Sequence, residues 1–295
     1  AVPPEDIVAV VNVGDDMILH GLHISPDVDT VTYALAGMDN RETGWGVADE
    51  TWTVMDELGR LGGEDWFRLG DRDLATHLFR TGRLRAGEPL SAVTSLLAAR
   101  RGVAVRLLPV TDDPLRTRLT LAEATSLGPP GTEIAFQDYF VRLRHGVAVR
   151  GVRFEGAPSA RPAPGVMEAL DAAELIVVCP SNPVVSIGPL LAVPGIREAL
   201  TARRDRVVGV SPIVAGTALK GPADRLMAEL GSEPSVTGVA RLYAPWVGTL
   251  VIDVADEARA GEVEAEGMRC VVADTIMSSP ERAAALARVV VDALG

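Results

Sequence analysis

Four acids, Asp15, Asp16, Asp27 and Asp29, crowd into one short window near the start of the chain. Carboxylates placed so closely repel unless a proton or a cation intervenes, so a hard divalent metal is the simplest partner for them. They follow an apolar run, Val8-Ala-Val-Val-Asn-Val13, that reads as a buried strand ending at Gly14. Open α/β sheets keep their ligands at the carboxyl ends of such strands. Asp, Asn and Gly also dominate ordinary turns after strands, and from this window alone both readings stand.

Three further loops carry polar residues where strands are expected to end: Thr111-Asp112-Asp113, Ser181-Asn-Pro-Val-Val-Ser-Ile-Gly-Pro189 and Ser211-Pro-Ile-Val-Ala-Gly216. In the second, backbone N–H groups can cradle a phosphate while Ser181, Asn182 and Ser186 add side-chain donors. Pro183 and Pro189 equally suit a long connection with no ligand. A fifth cluster, Arg68-Leu-Gly-Asp-Arg-Asp73, places Asp71 as a helix cap and Asp73 in the first turn, which complements the helix dipole and leaves Arg68 and Arg72 over. His20, His23, His77 and His145 form no ligand set by spacing. No Gly-x-Ser-x-Gly elbow, Cys-His pairing or Walker sequence is present, which removes support for nucleophilic hydrolases and P-loop enzymes.

The elements that must position these residues read as follows. Ile7 to Val13 is a strand, and Val31 to Leu35 a short apolar segment ended by turn residues. From 41 to 102 the pattern becomes helix after helix: one capped by Asp49, one by Asp71 and one opened by Ser91. Three of the four tryptophans, Trp45, Trp52 and Trp66, fall there, suited to a small core or to stacking on a flat ring. Strands return at 103–108, and 133–140 with 147–154 read as a strand pair. Helices and strands then alternate to the end, where Ser279-Pro-Glu281 caps a long final helix. The expected fold is α/β, a Rossmann-like, doubly wound and mainly parallel sheet of residues 1–40 and 103–295, with 41–102 a helical insertion subdomain.

With 295 residues and 47% apolar content, the chain can bury a large core. Its formal charge of -12 argues against a nucleic-acid surface and means that an anionic small substrate needs a local arginine or a metal. Lys220 is the only lysine, and the Arg, Ala, Gly and Pro bias fits a GC-rich genome. No apolar run nears the roughly 20 residues of a membrane span, and no signal-peptide pattern opens the chain, so a cytoplasmic place is expected. Cys179 and Cys270 sit in apolar runs and read as reduced core residues.

Taken together the motifs resemble the 2-phospho-L-lactate transferase and phosphoenolpyruvate transferase family of coenzyme F-420 biosynthesis. The matching stretches are Asn12-Val-Gly-Asp-Asp16, Ser25-Pro-Asp-Val-Asp-Thr30, Leu69-Gly-Asp-Arg-Asp-Leu-Ala-Thr-His77, Leu108-Pro-Val-Thr-Asp-Asp113, Phe136-Gln-Asp138, Pro180 to Pro189 and Ser211-Pro-Ile213. The resemblance implies transfer without a covalent enzyme intermediate. The terminal ribityl hydroxyl of the deazaflavin Fo attacks a guanosine-diphosphate-activated three-carbon acid, and GMP leaves. Family members from GC-rich organisms look to use the enolpyruvyl donor, so for this chain the resemblance implies that form over the lactyl. The resemblance further implies that Asp15 and Asp29 hold Mg2+ and that one of them orients or deprotonates the hydroxyl, that Asp29 and Arg68 contact the deazaflavin, that Ser181, Asn182, Ser186 and Gly188 hold the nucleotide diphosphate, and that the protein is a homodimer. Family members begin with a strand and a Gly-Gly-Thr-Gly-Gly-like loop, so this chain is expected to lack that strand and part of the nucleotide site. The competing readings are a nucleotide-binding regulator of the gluconeogenesis-factor type and a metal-dependent hydrolase of nucleotide diphosphates.

Overall fold

In the computed structural model, which describes residues 2–41 and 43–294, the chain clusters into two units: 2–147 with 152–166, and 148–151 with 167–294. In the first unit β1 (Val8–Val11) runs into the acidic turn. An antiparallel hairpin of β2 (Met17–Leu19) and β3 (Leu22–Ile24) follows, closed by His20 and Gly21. Both turn residues have positive φ, 51° and 73°, as the tightest hairpin turns require. Next come α1 (Pro26–Leu35), α2 (Thr53–Arg60), α3 (Asp71–Arg85) and α4 (Leu90–Arg100), then β4 (Arg106–Pro109), which pairs in parallel with β1, Val8 opposite Arg106. β5 (Arg116–Leu121), β6 (Glu133–Ala135) and β7 (Val149–Glu155) make a three-stranded sheet in the order β6-β5-β7.

The second unit opens with most of α5 (Val166–Ala172), then β8 (Ile176–Val178), and a π-helical turn, Pro183–Ile187, that leads into α6 (Gly188–Ala192). α7 (Ile196–Ala202), β9 (Val207–Val210), the small hairpin β10 (Ile213–Val214) and β11 (Thr217–Ala218), α8 (Ala223–Glu229) and α9 (Val236–Tyr243) follow. β12 (Thr249–Asp253), α10 (Ala260–Ala265), β13 (Arg269–Ala273) and α11 (Pro280–Asp292) complete it. Its sheet is all parallel, in the order β13-β12-β9-β8, with Thr249 opposite Val208 and Arg269. β9 and β12 are buried along their whole length, as strands covered on both faces must be, which is why they read as unbroken apolar runs. Val208, Val210 and Val251 pack against Leu286 and Val290 of α11 and Ala293 just after it. Burying each such valine or leucine contributes about 1.5–3 kcal/mol.

The α/β class stands, and the residue-level expectations need several corrections. The segment 31–35 belongs to α1, whose start is written in Ser25-Pro26, a proline in the first turn, and in Asp27 and Asp29 against the dipole. The pair expected at 133–140 and 147–154 is no pair: a π-helical turn, Asp138–Arg142, ends β6 early, and β5 lies between β6 and β7. Asp49 has φ 52° and caps nothing; α2 starts after Trp52. Its cap comes from further on, since the Asp71 carboxylate accepts from the Thr53 and Val54 N–H groups at 3.0 Å each. Glu50 returns the favour to α3, accepting from the N–H groups of Arg72 and Asp73 at 2.7 and 3.1 Å. Cys179 is exposed and Cys270 half-buried, so both thiols are free without being core. Ser279 does cap α11, accepting from the Arg282 N–H.

The Thr111-Asp112-Asp113 loop proves structural. Asp112 accepts from Ser91 N and Ser91 Oγ at 2.6 and 2.8 Å and so caps α4, while Asp113 accepts from the Arg161 N–H at 2.9 Å. Asp112→Ala is expected to cost about 1 kcal/mol, read as a lower denaturant midpoint at unchanged slope.

Candidate active site

The site is built on the turn after β1. Asn12, Asp15 and Asp16 are all buried there. Asn12 brackets the turn: its Oδ1 accepts from the Gly14 N–H at 2.7 Å, and its Nδ2 donates to Asp27 Oδ2 at 2.9 Å. One amide thereby ties the β1 turn to the first turn of α1. Asp16 makes a second tie, because its Oδ2 accepts from Ser25 Oγ at 2.8 Å and lies 2.8 Å from His23 Nε2. Ser25 spends its hydroxyl on this bond and does not cap α1.

Asp15 has no such partner for Oδ1, and Asp16 Oδ1 is also buried without a hydrogen bond among the described residues. Burial pushes the Asp15 carboxyl well above the usual carboxylate range, and the charges of Asp27 and Asp16 push further, against easing by Thr117 and Asn12. Asp27 is driven the same way, up to about 6, by burial and by Asp16, with the Asn12 hydrogen bond opposing. Buried acids that repel one another and leave oxygens unpaired form an all-oxygen donor set, which suits Mg2+. Asp15 and Asp16 line a pocket of about 220 Å³ with Arg116, Thr117 and Arg118 of β5 and with Phe136 and Gln137.

Asp29 sits one step along α1 in a different charge environment. Arg80, fully buried, donates to Asp29 Oδ1, to His77 Nδ1 at 3.2 Å and to the His23 carbonyl at 3.3 Å. A guanidinium only donates, so Nδ1 accepts and the ring proton is assigned to Nε2, 3.2 Å from Asp73 Oδ2. Tyr33 Oη donates to Asp73 Oδ1 at 2.5 Å. Burial raises the Asp29 carboxyl while the charge and hydrogen bond of Arg80 pull it back, leaving it above its ordinary value. Against its own burial, Asp73 is held below the usual range by hydrogen bonds from His77 and Tyr33 and by the charge of Arg80. Asp29, Asp73 and His77 each bring a ligand atom within 4.8 Å of the others, a spacing open to a metal. Arg80 already supplies the positive charge there, and a divalent ion beside it would be repelled.

Asp15 and Asp29, expected as one metal-holding pair, have different immediate partners, Asp15 with Asp16 and Asp27, Asp29 with Arg80, His77 and Asp73, and the two groups are linked through His23 and the attraction between Arg80 and Asp16. Arg68 is bound to Asp56 at 2.6 Å, and its guanidinium carbon lies 4.9 Å from the Trp52 ring centre. Trp66 packs against the apolar cluster of Leu19, Ile24, Met55, Leu69 and Leu74, whereas Trp45 is half exposed. In the second unit, Asn182 Oδ1 accepts from the N–H groups of Val184 and Val185 at 2.9 and 3.3 Å. Those two donors are thus already taken, which narrows the phosphate cradle expected there to the half-buried side chains of Ser181 and Ser186, the Asn182 amide nitrogen and the backbone at Gly188. The Ser211 loop closes on itself, its hydroxyl donating to the Ile213 carbonyl at 2.9 Å.

Sequence reasoning missed Arg80, Arg116 and Thr117, and it quoted Gln137 within Phe136-Gln-Asp138 without giving it a role. The alternation Arg116-Thr-Arg-Leu-Thr-Leu121, buried at every second residue, was the available signal for β5. Arg80 on a helix face carries no signal of its burial, because arginines are usually exposed.

An α/β chain whose strand-end turn buries unpaired acids beside a small polar pocket has the plan of an enzyme for a small anionic substrate. Residues 2–292 match the family described as 2-phospho-L-lactate transferase CofD. A protein of Streptomyces griseus named phosphoenolpyruvate transferase is 47% identical over 98% of this chain and 90% of its own. Relatives of the same name from Thermobifida fusca and Mycolicibacterium smegmatis are 45% and 40% identical, each over 98% of this chain and over 87% and 88% of their own. A crystal structure of a Bacillus halodurans member of the UPF0052 family shares the fold at 16% identity and TM-score 0.58, over 97% of this chain and 90% of that one. The chain belongs to the 2-phospho-L-lactate transferase family, the transferases of coenzyme F-420 biosynthesis. Among the described residues no single helix is long and apolar enough to cross a membrane.

Proposed function

We propose that this chain joins the phosphoryl end of a guanosine-diphosphate-activated three-carbon acid, the enolpyruvyl form in preference to the lactyl, to the terminal ribityl hydroxyl of the deazaflavin Fo. The new bond forms between the ribityl oxygen and the phosphorus next to the three-carbon acid. The bond from that phosphorus to the GMP oxygen breaks, GMP leaves with the electron pair, and the hydroxyl proton is lost. The observation that carries the reading is the buried, unpaired Oδ1 of Asp15 in a pocket that also holds arginine, in a chain 40–47% identical to relatives named phosphoenolpyruvate transferase.

Phosphoryl transfer is governed by alignment and charge stabilisation. Asp15 is assigned to Mg2+, which when bound would neutralise charge on the diphosphate, while Asp29, beside the Arg80 cation, is assigned to the hydroxyl and not to the metal. Asp29 keeps Oδ2 without a hydrogen bond while Arg80 fixes Oδ1, so its free oxygen is held still for the ribityl hydroxyl. Arg68 is assigned to the deazaflavin, and Ser181, Asn182, Ser186 and Gly188 to the nucleotide diphosphate. The family resemblance also supports a cytoplasmic homodimer.

Purified protein with Mg2+, Fo and either donor is expected to release GMP only when Fo is present, faster from the enolpyruvyl donor, and light scattering should give twice the chain mass. Release without Fo would point to a hydrolase. No release from either donor, with both substrates shown to be intact, contradicts the transfer reading.

A further inference from the structure

The pocket that contains Asp15 and Asp16 has two arginines with different commitments. Arg118 Nε donates to Glu155 Oε2 at 2.8 Å, so its charge is matched. Arg116 donates to the carbonyl of its own neighbour, Leu115, at 2.7 Å, and among the described residues it has no carboxylate partner within 4.0 Å. A guanidinium offers five N–H groups in a planar fork, so one bond to a carbonyl leaves most of the fork for an anion. Gln137, buried and lining the same pocket, can add an amide donor.

We propose that Arg116, assisted by Gln137, binds the carboxylate of the three-carbon acid carried by the donor, an inference that rests on the transfer reading above. Size selects the occupant. At about 220 Å³ the pocket falls below the roughly 300–1,000 Å³ that enclose drug-sized ligands, so it suits a phosphorylated three-carbon acid and not a nucleoside or a tricyclic deazaflavin. Charge selects it again. On a chain with formal charge -12, an acid substrate needs a local cation, and Arg116 is the unmatched one in the pocket. Shape is the third criterion, since a carboxylate presents two coplanar oxygens that match the guanidinium fork, and lysine cannot reproduce that match. The acid would then lie with its carboxylate on Arg116 and its phosphoryl end towards Asp15, which lines the same pocket.

The test uses the lactyl donor and its ethyl counterpart, which lacks only the carboxylate, on the wild type and on Arg116→Gln, Arg116→Lys and Gln137→Met, with thermal melting to confirm folding. In the wild type, loss of the carboxylate is expected to raise donor KM about 10- to 100-fold, the worth of a charge-assisted pair. Arg116→Gln should raise KM for the lactyl donor by a similar factor and leave KM for the ethyl donor and for Fo unchanged. A change confined to KM marks lost uniform binding. Arg116→Lys and Gln137→Met should show the same selective loss in smaller measure, and they carry the comparison if Arg116→Gln does not fold. Equal penalties on both donors, or a normal KM for the lactyl donor in a folded Arg116 variant, would overturn the carboxylate role. Failure of the wild type to transfer from either donor would instead sink the transfer reading, and the inference with it.

Discussion

Asp15→Asn is expected to lower transfer by about two to four orders of magnitude and, at the same time, to make the metal-free protein harder to melt. The two effects share one cause. Asp15 is buried, its Oδ1 lacks a partner, and Asp27 and Asp16 repel it. An amide of the same shape removes that repulsion, so the folded state gains. The sign of the pH dependence follows. Asp15 and Asp27 hold protons more tightly in the folded chain than in the unfolded one, Asp27 up to about 6. The stability this confers is present at acid pH and is lost as pH rises through each acid's raised folded value, about 6 for Asp27. Metal-free wild type should therefore melt higher at pH 5 than at pH 7.5, and Asp15→Asn should show a smaller difference. At pH 7.5 a rise of about 2–4 °C in the variant corresponds to roughly 1 kcal/mol. Mg2+ should raise the melting point of the wild type by mass action and leave the variant nearly unmoved. A variant that melts lower than wild type without metal, or that Mg2+ stabilises equally, would show that Asp15 is an ordinary turn residue.

The sequence made the acidic turn legible because the β1 run, Gly14 and the acid doublet are contiguous. It also showed the alternating elements of the second unit, whose buried strands β9 and β12 are unbroken apolar runs. What it hid are relations across distance. Asp71 looks like the cap of its own helix, yet it caps α2, because Thr51 and Val54 fold back to meet it. Asp112 looks like a site residue and caps α4. Asp27 and Asp29 look equivalent, but two positions along a helix are about 200° apart around its axis, so they face different neighbours. That rotation puts Asp27 against Asn12 and Asp29 against Arg80. No single-residue property could have separated them. The pocket residues Arg116 and Gln137 come from β5 and from the segment just after β6, and the bond from the Thr117 N–H to the Gly14 carbonyl ties β5 to the acidic turn.

Arg80→Met should be the most destabilising single change in this region, costing about 3–5 kcal/mol, because it strips the cation from a buried ion pair and leaves Asp29 behind. Methionine fills similar space, so lost packing is a minor part. Three interactions go together: those with the Asp29 carboxylate, His77 Nδ1 and the His23 carbonyl. Burial already raises the Asp29 carboxyl, and the variant also removes the charge that pulls it back. The loss should therefore be smaller at pH 5, where Asp29 can fold protonated, and larger as pH rises through its elevated folded value. Adding Asp29→Asn to Arg80→Met should restore a large part of the stability, since no uncompensated charge remains, while transfer stays lost because the oxygen assigned to the ribityl hydroxyl is gone. Urea midpoints of the two single variants and the double variant, taken at pH 5 and pH 7.5, measure the coupling. If the double variant is no more stable than Arg80→Met, the arginine acts through packing alone. Asp29 would then not owe its fixed position to the ion pair.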